Sequence, residues 1–363
     1  MMRIASGGVA AAVRSACRAC VLLLFQIVAA AAQDTPVIAP SGSRPLVDPD
    51  ATYVFNHLPG SDLILEAQIA PRIIVADSFG DATRRLLAAA RKPVWGWQVS
   101  TTPMVRLRLF NEVSNPVRTP SYMPKATVQV ARFQNQSASA PSDEMEFSKG
   151  PIVMWLVDVI PFGHHSNGQN GCLFASQTRD SRGACVEASP PPPDARSINR
   201  ADGSFSTNYI QARLLYGRLY LDAVGAPAAD YATGWEWRAG GGLQVNPKGY
   251  LPGSIDGELS AVYAPTRIIA DAEVARRDGW RCARAEGTVR LQYLHHGPSG
   301  VPPFVVSAEA ACLPRHWGGS GVFVRFYRGQ DYYNLGFAES ITRLQLGFTL
   351  QQDTFLSFKI RSQ

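Results

Sequence analysis

Apolar and polar residues alternate along many short segments of this 363-residue chain. In segment 342–350 the apolar positions are Leu344, Leu346, Phe348 and Leu350, and the positions between them are Arg343, Gln345, Gly347 and Thr349. Segments 105–109 and 289–293 alternate in the same way. Because successive side chains of a strand point to opposite faces, each segment predicts a β-strand with one apolar face. Soluble sandwiches and membrane barrels both show this alternation, so it leaves the two architectures open.

Two features favour a transmembrane antiparallel β-barrel, an all-β fold, with long extracellular loops. Many polar residues of the alternating segments are Arg or Gln, as expected of a barrel interior. Aromatic residues also crowd the predicted strand ends, as they do at membrane interfaces. These aromatic residues include Trp95, Trp97, Trp235, Trp237, Tyr332 and Tyr333.

Thirteen segments carry the strand pattern. They are 63–69, 85–97, 103–110, 126–133, 151–162, 208–216, 218–224, 235–245, 257–268, 288–295, 304–313, 322–332 and 342–351. Single-chain bacterial barrels have an even number of strands, so at least one segment is wrong or is half of a longer strand.

The chain divides into four parts. Residues 1–32 are predicted to be a secretory signal peptide, with basic residues before an apolar run and a small-residue cleavage site. Residues 33–60 are Pro-rich and are predicted to be irregular and periplasmic. The barrel is expected over 61–352, with an inserted extracellular loop at 169–204, and a C-terminal extension follows at 353–363. After the signal peptide, no stretch approaches the roughly 18 apolar residues of a membrane-spanning helix.

Cysteine content fits export to an oxidising compartment. The predicted mature chain keeps an even set of four cysteines, which suits two disulfides. Three connectivities are possible, and we favour the sequence-local pairs Cys172 with Cys185 and Cys282 with Cys312. Neither pair has metal-ligand spacing. The net charge of +6 and the pI of about 9.1 are compatible with anionic lipid headgroups, and we predict no nucleic-acid partner.

The segment Gly163-His-His-Ser-Asn-Gly168 combines a base, a hydroxyl and a flexible backbone. In an extended chain His164 and Ser166 leave the same face, where the imidazole can take the hydroxyl proton during attack on an ester. Asn208 is the candidate for orienting the imidazole. If side chains alternate without interruption from Ile152 onward, His164 and Ser166 lie on the same face of the strand as Leu156 and Ile160. Asp158 interrupts that face, and Pro161 is a place where the register can shift.

Four segments resemble the outer-membrane phospholipase A barrels, in that family's order. They are the active-site strand motif His164-x-Ser-Asn-Gly168, the strand opened by Asn208, the loop segment 108–124, and Asp331-Tyr-Tyr-Asn334 with the final strand. The resemblance implies a barrel of about 12 strands in the outer membrane, with catalytic residues on the lipid-facing wall and toward the outer leaflet.

The resemblance also implies an activity, a phospholipase of A1/A2 type. Ser166 would attack an acyl ester of a membrane phospholipid, His164 would act as base and then acid, and Asn208 would orient His164. The backbone amides of Ser166 and Gly168 would form the oxyanion hole. The family uses Ca²⁺ at the interface of a reversible homodimer. Ser114 and the backbone carbonyl of Gln169 match its ligands, and Asp180 is a further candidate.

The chain departs from the family in two places. The interval from His164 to Asn208 is 44 residues, far longer than the family's loop, and the chain continues past the usual aromatic end of the last strand. Two other functions therefore stay open: a catalytically inactive barrel that contacts lipid, and a passive outer-membrane pore.

Overall fold

The computed structural model describes most of the chain beyond residue 50. The described residues are 51–57, 63–79, 82, 92–111, 117–136, 151–188, 197–221, 234–248, 257–277, 281–314, 316–317 and 320–350. The predicted signal peptide, Ser114 and the C-terminal extension lie outside them.

Twelve antiparallel strands close into a barrel, which confirms the predicted fold class. Three of them, β2 to β4, consist of two pieces each. The strands are β1 (Thr52–His57), β2 (Leu63–Ile69 and Ile73–Asp77), β3 (Val94–Thr102 and Val105–Phe110), β4 (Val117–Tyr122 and Lys125–Asn135), β5 (Ile152–Ser166), β6 (Ser206–Leu221), β7 (Gly234–Val245), β8 (Thr266–Arg277), β9 (Cys282–His295), β10 (Phe304–Pro314), β11 (Ser320–Gln330) and β12 (Ser340–Leu350).

Each strand pairs with the next along the chain, and β12 pairs with β1 to complete the ring. The closing ladder runs from Thr52 opposite Leu350 to His57 opposite Gln345. Closure gives every strand two neighbours, which removes the exposed edges that an open sheet would have.

Several strand predictions need correction. The segment 33–60 is not irregular throughout, because β1 lies within it. Segments 208–216 and 218–224 belong to one strand, β6, and segments 85–97 and 103–110 to another, β3, so the thirteen segments correspond to eleven strands, and β1 is the twelfth. Segment 257–268 begins as a short helix, α1 (Gly257–Tyr263), and only its end enters β8. The pieces Ile73–Asp77 and Val117–Tyr122 were not predicted.

The barrel interior is polar and charged. Arg108 is 2% exposed, and its guanidinium binds Glu66 at 2.6 Å and Asp331 at 2.7 Å. Arg213, also buried, binds Asp158 at 2.6 Å and Asp271 at 3.0 Å. A buried charge is tolerated when it is paired and hydrogen-bonded, so these ion pairs allow charged residues to fill the interior.

The barrel exterior is apolar, the reverse of a soluble protein. Leu346 and Phe348 are more than half exposed, while Gln345 between them is fully buried. The alternating pattern therefore places its apolar face outward. Other exposed apolar residues of the strands are Ile69, Trp95, Trp97, Trp155, Val157, Leu214, Leu243, Ile268, Leu291 and Phe304. An apolar band outside and a polar interior are the arrangement of outer-membrane barrels.

Apolar clusters lie at both ends of the interior. We call the end where β5 finishes and β6 begins the upper rim, and the opposite end the lower rim. At the lower rim Phe79 packs inside the barrel against Phe133, with ring centroids 6.1 Å apart. The upper cluster joins three rim loops and consists of Leu173, Phe174, Phe205, Leu259, Tyr263, Leu335 and Phe337. Within the described part of the chain, no helix has the length and apolar character needed to span a membrane.

Leu214 lies in the middle of β6, points outward and is 51% exposed. In lipid vesicles, Leu214→Arg should lower the free energy of unfolding by about 2–4 kcal/mol, because Arg is costly on a lipid-facing wall. Val186, a similarly exposed residue of the inserted loop, supplies the control, and Val186→Arg should change stability by less than about 0.5 kcal/mol. Denaturant titration measures both, and equal, small effects would mean that the wall faces water.

Candidate active site

A β-bulge decides which way the candidate catalytic residues point. Gly163 pairs with Tyr209 and Ile160 with Gln211 on β6, so β5 carries an extra residue around Pro161. The same shift appears against β4, between Ala126 and Val128. A bulge leaves an additional residue without a partner and changes the alternation of the strand beyond it.

The predicted parity of β5 was therefore wrong. Leu156 and Ile160 are buried in the interior, and so is Asp158 between them. Beyond the bulge the buried residues are Gly163 and His165, which leaves His164 and Ser166 on the outer wall. The expected outward position of the two residues is correct, but the irregularity at Pro161 produces it rather than continuous alternation.

His164 and Asn208 form the hydrogen-bonded pair that the sequence predicted. They face each other directly across β5 and β6, and Nδ1 of His164 lies 2.7 Å from Oδ1 of Asn208. An amide oxygen only accepts, so Nδ1 of His164 is the donor, and the neutral imidazole that makes this bond has its lone pair at Nε2. Asn208 lies on the outward face of β6 with Leu214, as predicted, although neighbouring residues cover it to 1% exposure.

Ser166 is the last residue of β5, two positions after His164 on the same face. It pairs with Ser206 on β6 and with Tyr122 on β4, so neighbouring strands hold it on both sides. Ser166 is half-buried. The structure thus brings His164 and Asn208 into contact and places Ser166 on the same face, two positions further along β5 at the upper rim.

Gly168 turns the chain immediately after this strand end. Its φ of +66° lies in the left-handed region, which side chains other than glycine rarely adopt. A Cβ built at this position would also lie 3.1 Å from the ring of Tyr122. Turns with left-handed residues direct successive backbone N–H groups toward one point, which makes them suitable for binding an anion. The two predicted oxyanion donors, the backbone N–H groups of Ser166 and Gly168, therefore lie at the strand end and in the turn that follows it.

An aromatic layer supports the site from inside the barrel, which sequence reasoning missed. His165 is 7% exposed, and its Nδ1 lies 2.7 Å from the hydroxyl of Tyr263 on α1. Burial raises the pKa of Tyr263, so the hydroxyl keeps its proton. Phe205 packs edge-on against the imidazole of His165, and Tyr209 covers Gly163, where a Cβ would lie 2.2 Å from the ring.

Both predicted disulfides are present, Cys172 with Cys185 and Cys282 with Cys312. The first one organises the inserted loop, where Gln177–Arg179 and Cys185–Glu187 form a small hairpin. A β-bridge between Gly171 and Gly203 brings the two ends of the loop together. The loop also contributes residues to the upper-rim cluster. The described residues of this loop are therefore folded, and they pack at the upper rim beside the candidate site.

The two predicted calcium ligands that the structure describes, Gln169 and Asp180, make hydrogen bonds within or next to the inserted loop. Oδ1 of Asp180 accepts the backbone N–H groups of Arg182 and Ala184, both at 2.9 Å, and so closes the hairpin turn. The side-chain oxygen of Gln169 accepts from Asn167 at 2.9 Å. Among the described residues, no group of three or more His, Cys, Asp or Glu side chains could hold a metal. Ser114, the third predicted ligand, lies outside the described residues, so calcium binding stays a prediction.

The loop disulfide gives a prediction about local rather than global stability. Replacing Cys172 and Cys185 by Ser should leave the barrel folded, because every barrel ladder is intact without them, but should open the loop. Trypsin should then cleave faster at Arg179 and Arg182, which are both exposed. Peptide mapping measures the cleavage, and the Cys282 and Cys312 double Ser variant is the control. Equal cleavage rates in the two variants would contradict a role for the first disulfide in the loop.

Comparisons with known proteins identify no relative of this chain. No family model, no curated protein and no solved structure matches it.

Proposed function

We propose that this protein is an outer-membrane phospholipase that hydrolyses acyl esters of phospholipids through Ser166, His164 and Asn208. One observation carries the proposal: the His164 and Asn208 pair, at 2.7 Å, lies with Ser166 on the apolar outer wall of a closed barrel. A nucleophile and base that face outward from such a wall meet lipid rather than dissolved metabolites.

The mechanism follows from the protonation of His164. With Nδ1–H donating to Asn208, Nε2 accepts the proton of Ser166 as its oxygen attacks the acyl carbonyl. The bond to the glycerol oxygen then breaks, and His164 returns the proton to the departing lysophospholipid. A water molecule, activated by the same Nε2, hydrolyses the acyl enzyme and releases the fatty acid. Asn208 is neutral and acts by keeping the ring in this tautomer.

The tetrahedral intermediate places negative charge on the former carbonyl oxygen. The backbone N–H groups of Ser166 and Gly168 are the candidates for binding it, because the left-handed turn at Gly168 follows the nucleophile directly. The loss of one such donor typically costs about 10²–10³ in rate.

The surroundings of the site suit an acyl chain. Tyr122 and Phe162 are 40% and 38% exposed on the same wall, and Leu214 on β6 is 51% exposed. The longest connection of the barrel, between Ser166 and Ser206, lies at the upper rim. Outer-membrane barrels carry their long loops outside the cell, which supports an active site toward the outer leaflet.

The side chains inside the barrel argue against a passive pore. Fully buried Gln98, Gln129 and Gln345 and the ion pairs of Arg108 and Arg213 lie in the interior, and apolar clusters lie at both of its ends. A pore needs a continuous aqueous path. The inactive-barrel alternative is weakened by the intact hydrogen bond between His164 and Asn208.

The nucleophile is tested with a fluorophosphonate probe, which labels activated serines. Wild-type protein should be labelled and Ser166→Ala should not, while His164→Ala should slow labelling by about 10²–10⁴-fold. Asn208→Ala should have a smaller effect because Asn208 orients the ring without reacting. Ser206→Ala is the matched control, since Ser206 lies directly opposite Ser166 on β6. Labelling that persists in Ser166→Ala would rule out the assignment.

Calcium dependence and a reversible homodimer belong to the same proposal and rest on the resemblance alone. We predict that a calcium-selective chelator lowers the release of lysophospholipid by the purified barrel and that added Ca²⁺, but not Mg²⁺, restores it. Full activity in chelator would remove calcium from the proposal and leave the Ser166, His164 and Asn208 mechanism untouched.

A further inference from the structure

Asn167 lies between the nucleophile and the glycine of the proposed oxyanion hole, and its side chain points into the barrel. It is 1% exposed. The two hydrogens of its amide nitrogen are shared among three acceptors, the carbonyl of Gly203 at 2.7 Å and the side-chain oxygens of Asn334 and Gln169, both at 2.9 Å. Its amide oxygen accepts from the backbone N–H groups of Gln169 and Phe205, both at 3.3 Å. These bonds fix the turn that carries the two candidate oxyanion donors.

Asn334 reaches this turn from a distant part of the sequence, the loop between β11 and β12. It is 8% exposed and starts a short 3₁₀ helix, Asn334–Ala338. While its amide oxygen accepts from Asn167, its amide nitrogen donates to the carbonyl of Thr119 at 2.8 Å. Its backbone N–H donates to Oγ of Ser121, also at 2.8 Å. Asn334 thus joins the rim of β4 to the active-site turn.

The backbone of Asn334 is in the left-handed region, with a φ of +44°. Such a conformation is strained for a residue with a side chain and persists where the surroundings hold it. Glycine would fit this backbone more easily. Asparagine supplies what glycine lacks, an acceptor for Asn167 and a donor for Thr119 in one rigid group. The asparagine side chain therefore makes two hydrogen bonds that a glycine at this position could not make.

The loop around Asn334 is anchored to the barrel interior. Asp331 accepts from Nη1 of Arg108 at 2.7 Å and from the backbone N–H of Tyr333 at 3.1 Å. The hydroxyl of Tyr333 donates to the carbonyl of Thr119 at 2.9 Å and accepts the backbone N–H of Arg108 at 3.1 Å. Burial raises the pKa of Tyr333 to about 12, which keeps this donor protonated. The position of Asn334 is consequently set by the barrel itself.

We propose that Asn334 is a positioning residue for the oxyanion hole, acting through the side chain of Asn167. The inference rests on the proposed function. Two backbone amides stabilise an oxyanion only when both point at the same atom, so a small rotation of the turn weakens both. Asn334 fixes the buried side of that turn, while His164 and Asn208 act on the outer side. The barrel ladders on either side of this loop are complete without Asn334.

The test uses Asn334→Gly, which relieves the backbone strain and removes the side chain with its two hydrogen bonds. The folded barrel should keep its heat-modifiable mobility in detergent gels, while kcat for phospholipid hydrolysis should fall by about 10²-fold with little change in KM. Asn334→Asp retains the acceptor for Asn167 and should keep more activity than Asn334→Gly. Gln129→Ala is the control, since Gln129 donates a buried hydrogen bond to Asp158 in the middle of the barrel.

A second readout separates positioning from a loss of stability. A thionoester substrate develops charge on sulfur, which accepts hydrogen bonds weakly, so a working oxyanion hole favours the oxygen ester. Asn334→Gly should reduce the ratio of kcat/KM for ester over thionoester, and Gln129→Ala should leave it unchanged. An unchanged ratio in Asn334→Gly, or activity equal to wild type, overturns the positioning role. If wild type and Ser166→Ala are equally active or equally inactive, the proposed function itself fails.

Discussion

Arg108 holds the barrel interior and the active-site rim together. Its guanidinium lies between Glu66 of β2 and Asp331 of the loop after β11, at 2.6 and 2.7 Å, and all three groups are buried. Removing one partner of such a buried ion pair leaves an uncompensated charge and typically costs about 3–5 kcal/mol. Because Asp331 also begins the loop that carries Asn334, the geometry of the site depends on this ion pair.

The same constraint explains why the chemistry faces outward. Most charged groups in the interior are held in ion pairs, such as those of Arg108 and Arg213, and buried glutamines lie among them. A reactive serine and imidazole in that interior would have no access to substrate. The bulge at Pro161 brings His164 and Ser166 to the outer wall, while His165 between them anchors the strand to the interior through Tyr263.

Local patterns predicted much of the barrel but not its irregularities. Alternation identified most strands, and the resemblance carried by the His164 motif and Asn208 anticipated a contact that the structure contains. Gly217 made β6 look like two strands, because a glycine interrupts the pattern although the backbone continues. The segment 257–263 is a helix because tertiary contacts at the rim, absent from any local pattern, set its conformation. The contact between Asn167 and Asn334 likewise spans 167 positions and has no local signal.

The most direct test of the central claim is product analysis with purified, folded protein in phospholipid vesicles, with calcium present. Wild-type protein and Ser166→Ala are compared at equal amounts of heat-modifiable barrel, and lysophospholipid and free fatty acid are quantified by mass spectrometry. The outward-facing site predicts equimolar release of both products by wild type and none above background by Ser166→Ala. Equal release by the two proteins, or no release by a folded wild type, would contradict it.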